Sequence, residues 1–91
     1  MKKEQKSEFL SSRVRYVPIN DIRPNPQQPR RRFDPEGLQE LAASIAAYGI
    51  LQPLTVRQQG GVYQLVAGER RWRAARIAGL RQVPCLLARV D

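Results

Sequence analysis

The chain has 91 residues, enough for one small domain with a modest core, and its 42% hydrophobic content is ordinary for a globular protein. Sixteen Lys and Arg against eight Asp and Glu leave a net charge of +8, which implies an anionic partner: nucleic acid, nucleotide phosphate or an acidic membrane surface. There is no histidine and Cys85 is the single cysteine, which excludes a disulfide framework, His or Cys metal sites and every Ser-His-Asp arrangement.

Thirteen of the sixteen cations are arginine, a bias toward bidentate recognition of phosphate or carboxylate, because the guanidinium fork matches those groups. No apolar run reaches the length of a membrane span and the N-terminus has no hydrophobic signal core, so the sequence reads as cytoplasmic. Residues 1–13, MKKEQKSEFLSSR, read as a disordered polar tail, in which Phe9 and Leu10 offer too little apolar area for a membrane-surface helix. The folded unit is expected over residues 14–91.

VRYVPI, residues 14–19, reads as a strand with Pro18 at its edge or end. NDIRPNPQQPRRRF follows as an extended loop, since proline removes amide donors and holds its predecessor extended. DPEGLQELAASIAAYG carries the strongest helix signal. Asp34 suits the N-cap, Pro35 the first helical position and Glu36 the positive end, while Gly49 is placed for a left-handed C-cap. Leu38, Leu41, Ala42, Ile45 and Ala46 recur at helical spacing on one face.

LQPLTVR and VYQLVA read as a hairpin around QQGG. A helix over residues 69–78, closed by Gly79, and a last strand in VPCLLARV complete the order β-α-β-β-α-β. The expected fold class is therefore α/β (α+β), as a small single domain.

Four arginines fall within seven positions at the start of the second helix, in VAGERRWRAARIAGL. A helix N-terminus carries partial positive charge, so cations there lose roughly 0.3–1 kcal/mol. At 100° per residue, Ala74, Ile77 and Ala78 share a packing face with Ala75 at its margin, while Arg73 and Arg76 project outward together with Trp72. Arg70 and Arg71 point instead toward the body of the domain. Two arrangements account for them: an anion held between Gly68, the free helix amides and two guanidinium groups, or internal salt bridges to Glu40, Glu36 or Asp34. Neither GxxxxGK[ST] nor GxGxxG is present.

The blocks PNPQQPR, LAASIAAYGILQPLTVR and VAGERRWRAARIAGLRQVP together resemble the N-terminal domain of the ParB family of bacterial chromosome- and plasmid-partition proteins, relatives of the Noc nucleoid-occlusion proteins. The resemblance covers about residues 14–90. It implies a sulfiredoxin-like architecture and a CTP-binding, CTP-hydrolysing switch. The GERR segment is implied to grip the triphosphate with Mg²⁺, mapping to Gly68, Glu69, Arg70 and Arg71, with Glu69 nearest the metal. The QPR segment maps to Gln28 and Arg30, and the helix end with GIxQP maps to Ser44, Gly49, Ile50 and Gln52. Further implied partners are parS DNA, a second N-domain in a sliding clamp, and a ParA-type ATPase for which MKKEQKSEFL is the candidate segment. The implied location is the nucleoid. The chain is expected to lack the family's helix-turn-helix and dimerising regions, which would remove specific parS reading and weaken CTP binding and turnover.

Other functions are less well supported by the residues. Sulfiredoxin chemistry needs a reactive cysteine where this chain has Glu69 and Arg70, and Cys85 reads as a buried small hydrophobe in a strand. Metal-assisted nuclease chemistry needs clustered carboxylates, and only Glu69 is placed at the site. A module binding DNA phosphates without sequence preference would use Arg31 and Arg32, with Arg30 beside them, and Arg73 and Arg76.

Overall fold

The structure is a computed structural model and describes residues 13–26 and 34–88. Strand β1 (Arg15–Pro18) lies at one edge of a five-stranded sheet, where Pro18 ends it. A 3₁₀ turn over Ile19–Asp21 then delivers a two-residue strand, β2 (Ile22–Arg23), to the opposite edge. This short strand departs from the continuous loop expected there. Ile22 is almost fully buried, so its burial pulls the segment into parallel register with Tyr63 before the prolines begin.

Helix α1 (Pro35–Tyr48) starts as its sequence dictates: Asp34 caps it, Oδ2 accepting from Gly37 N at 3.1 Å, and Pro35 occupies the first turn. It ends at Gly49, whose φ of 81° requires glycine, although its ψ of −178° lies outside the left-handed helical basin expected for the cap. Strands β3 (Leu54–Gln59) and β4 (Val62–Ala67) form the hairpin, turning through Gly60 and Gly61. Their register passes from Val56 opposite Leu65 to Thr55 opposite Ala67, leaving a bulge at Val66 just before the chain enters α2 (Glu69–Ala78).

Strand β5 (Gln82–Leu87) inserts between β1 and β3, antiparallel to the first and parallel to the second. The sheet order is β1-β5-β3-β4-β2. The β-α-β-β-α-β plan is retained with β2 added.

Alternation along β3 buries Leu54 and Val56, which join Val17, Ile19, Ile22, Leu65, Val83 and Cys85 in the main core. Helix α2 is wedged between this core and α1, and so buries two flanks. Trp72 and Ala75 face the sheet, whereas Ala74 meets Ala42 and Ile45 of α1. That wedge corrects two expectations. Trp72, placed outward by the single-face reading, is only 7% exposed, and Ile77, assigned to the packing face, is 47% exposed. Ala46 of α1 is likewise exposed. The 1–13 tail falls outside the described residues except for Arg13, which is exposed.

Candidate functional site

The start of α2 is built on Gly68, the N-cap, at φ 103° and ψ 28°. No side chain caps the helix there, so its first amides lack a side-chain acceptor. Packing demands glycine as well as backbone geometry: a Cβ on Gly68 would lie 2.7 Å from Leu54 Cδ2 and 3.4 Å from Arg71 Cζ. The bulge at Val66 and this left-handed residue together bring the first turn of α2 down over Leu54.

Arg70 and Arg71, expected as an equivalent pair, go to different places. Arg71 Nη1 donates to Gln52 O at 2.9 Å and to Pro53 O at 2.7 Å. Arg70 reaches the first turn of α1, where its Nη2 lies 2.9 Å from the point a Cβ on Gly37 would occupy; Asp34 Oδ2 lies 2.7 Å from the same point. The N-termini of the two helices therefore meet, with one guanidinium between them. Among the described residues, no ion pair joins either arginine to Asp34, Glu36 or Glu40. The internal salt-bridge alternative is thus not realised.

Glu69 turns along its own helix and pairs with Arg73 at 3.2 Å, one turn on. Arg76 lies over the Trp72 ring, its Cζ 5.1 Å from the centroid. Both arginines, with Leu38, Trp72 and Ile77, line a groove of about 500 Å³ beside β2. Trp72 Nε1 is buried there with no hydrogen-bond acceptor among the described residues.

Of the other sequence-derived positions, Gln52 is brought to Arg71 through its backbone, and its side chain is exposed. Ile50 is half-buried and packs against both hydrophobic clusters, whereas Gly49 and Ser44 are exposed. Gln28, Arg30, Arg31 and Arg32 lie outside the described residues. Sequence reasoning placed the Asp34 cap but missed Pro53 and Gly37. Backbone carbonyls leave no trace in sequence, but a glycine in the first turn of a strongly helical segment was an available signal, because glycine costs roughly 1 kcal/mol against alanine there.

Cys85 is fully buried in β5, its Sγ 3.6 Å from Val83 O, and burial pushes its pKa from 9.0 to about 11. Such a thiol is protonated at neutral pH and inaccessible, which argues against thiol chemistry. Among the described residues no three acidic, His or Cys side chains cluster as a metal site, and no helix is long and apolar enough to cross a membrane.

Among the described residues the chain is an α/β domain of two helices and five strands with an uncapped, arginine-bearing helix start. Residues 3–91 match the ParB N-terminal domain family, and the chain belongs to it. It is 61% identical over 71 residues to the chromosome-partitioning protein Spo0J of Thermus thermophilus, covering 78% of this chain and 26% of that protein. The chain thus spans about a quarter of the length of the curated partition proteins it matches. Among solved structures, a C-terminally truncated ParB of Caulobacter crescentus complexed with CTP-γ-S superposes with TM-score 0.82 at 48% identity, covering 88% of this chain and 46% of that one. The same protein complexed to the centromeric parS site gives 0.78 at 50% identity, covering 85% and 41%. Sulfiredoxin of Arabidopsis thaliana gives 0.74 at 27% identity over 86% of both chains. The sulfiredoxin-like architecture expected from the resemblance is therefore present, without an accessible cysteine among the described residues. The relatives named here are partition proteins, which does not favour nucleoid occlusion.

Proposed function

We propose that this chain is the CTP-binding module of a ParB-type partition protein and that the triphosphate sits at the start of α2. The observation that carries the reading is Arg70, which stands at an uncapped helix N-terminus without a carboxylate partner among the described residues. Free amides, partial positive charge and a guanidinium converge there, and each favours an anion. The Caulobacter relative crystallised with CTP-γ-S supports choosing a cytidine nucleotide. Gly68, Glu69, Arg70 and Arg71 form the phosphate side of the site. Ser44, Gly49, Ile50 and Gln52 are assigned to its other wall, and Gln28 and Arg30 are assigned to it from the resemblance alone.

The residues fit Mg²⁺ only as an ion carried by the nucleotide. Glu69 is a single carboxylate already shared with Arg73, and Mg²⁺ on phosphates needs just one or two protein carboxylates. When bound, the ion would neutralise phosphate charge. In the whole protein this domain would act within a clamp on parS DNA, pairing with a second N-domain, turning CTP over to CDP and phosphate, and serving a ParA-type ATPase at the nucleoid in the cytoplasm. The DNA-phosphate alternative has little support from α2, because Arg73 is engaged by Glu69 and Arg76 by Trp72.

Calorimetric titration of the 91-residue chain with CTP, GTP and ATP, with and without Mg²⁺, tests the proposal. Saturable heat with CTP alone is the expected result. Absence of heat with all three from a folded chain would overturn it.

A further inference from the structure

We infer that the groove beside β2 is a docking surface for an extended segment of a partner protein in which acidic and apolar residues alternate. At 100° per residue, Trp72, Arg73, Arg76 and Ile77 fall on the half of α2 opposite Arg71, so the groove lies apart from the loop that Arg71 reaches. Its volume of about 500 Å³ is that of a built binding site. Beyond Arg76, which lines both, a second depression of about 370 Å³ continues between Asn20 of the 3₁₀ turn and Leu80 and Arg81.

The lining interleaves two chemistries. Ile22 and Trp72 are buried in the floor, Leu38 is half-buried, and Ile77 stands 47% exposed at the rim. Arg23, Arg73, Arg76 and Arg81 give the rim positive charge, and no carboxylate lines either depression. Arg73 is shared with Glu69, but among the described residues no ion pair joins Arg23, Arg76 or Arg81 to an acid. Arg76 is fixed over the Trp72 ring instead. The apolar floor decides the class of partner. A nucleic-acid backbone would meet the arginines by charge alone and gain nothing from Leu38 and Ile77. An alternating peptide fills the floor with one set of side chains and answers the rim with the other, which is charge complementarity joined to apolar burial. The ten residues of α2 span about 15 Å, the reach of about five extended residues. Side chains carry the docking, because the β2 edge has little to pair with: Pro24 has no amide, and Arg23 Nη1 already donates to Ile22 O at 3.4 Å.

NMR titration of the nucleotide-free 91-residue chain tests the inference, with a heptapeptide alternating glutamate and leucine as the probe. Saturable shifts of the Trp72 indole N–H and of the Leu38, Ile77 and Leu80 amides are expected. Arg76→Glu and Ile77→Ser, both at exposed positions, should each weaken binding about tenfold or more. Absence of those shifts up to about 1 mM peptide would overturn the inference. So would equal affinity for the peptide with serine in place of leucine, or for a short DNA duplex, since either means attraction by charge alone. Shifts of the same signals on diluting the chain without peptide would assign the groove to a second copy and overturn the partner. The peptide, duplex and dilution arms use the wild-type chain, so they decide even if a variant fails to fold.

Discussion

Gly68 lies so close above Leu54 that a Cβ on it would stand 2.7 Å from Leu54 Cδ2, and Leu54 is fully buried in the core. The residue is held at φ 103° as well, so alanine there meets backbone strain and a buried neighbour together. Gly68→Ala should cost about 2–4 kcal/mol, summing a strained positive φ and overpacking of the core. Thermal unfolding checks it, since each 1 kcal/mol corresponds to roughly 4–8 °C in a domain of this size. A shift under about 4 °C would contradict the close packing.

Arg70 and Arg71 should separate in stability. Arg71→Ala removes two bonds to carbonyls that have no other partner in the loop, at a cost of about 1–3 kcal/mol. Arg70→Ala removes an unpaired cation from the positive end of a helix and should be neutral or stabilising by roughly 0.3–1 kcal/mol. Urea unfolding of both variants without nucleotide reads the difference. Equal losses in the two would mean that Arg70 is also held by the fold.

Cys85 gives a pH signature. Its thiol titrates near 9.0 when unfolded and near 11 in the folded chain, because burial disfavours the thiolate. The folded state therefore keeps a proton that the unfolded state releases between those values. Stability from this group is complete below pH 9 and declines above it, by at most about 1.4 kcal/mol per pH unit. Cys85→Ala should remove that alkaline component while costing some packing at neutral pH. Below pH 9, native Cys85 should resist a thiol reagent such as dithiobisnitrobenzoate until the chain unfolds; rapid labelling of folded protein would show that the strand opens.

Trp72 and Arg76 should differ sharply although they touch. The ring lies in the core, so Trp72→Ala should cost about 3–5 kcal/mol. Arg76 is exposed above that ring, and Arg76→Ala should cost no more than about 1 kcal/mol, the scale of a solvent-facing cation–π contact. Chemical denaturation followed by Trp72 fluorescence measures both, provided far-ultraviolet circular dichroism replaces fluorescence in the Trp72 variant.

What the sequence alone determined about this protein is local. Asp34 and Pro35 start α1 because their oxygen and fixed φ answer the needs of a helix N-terminus, and the Gly60–Gly61 turn sets the hairpin. The family was also legible, because its motifs occur here in the right order and spacing. Tertiary structure decided which way each side chain of α2 faces. A period of 3.6 residues fixes relative directions around a helix but not how many flanks are covered, so only the wedge between α1 and the sheet could bury Trp72 and expose Ile77. The same holds for the opening arginines of α2. Their crowding marked the site, but the carbonyls that take Arg71 come from residues eighteen and nineteen positions earlier, and only the folded chain brings Gln52 and Pro53 within reach.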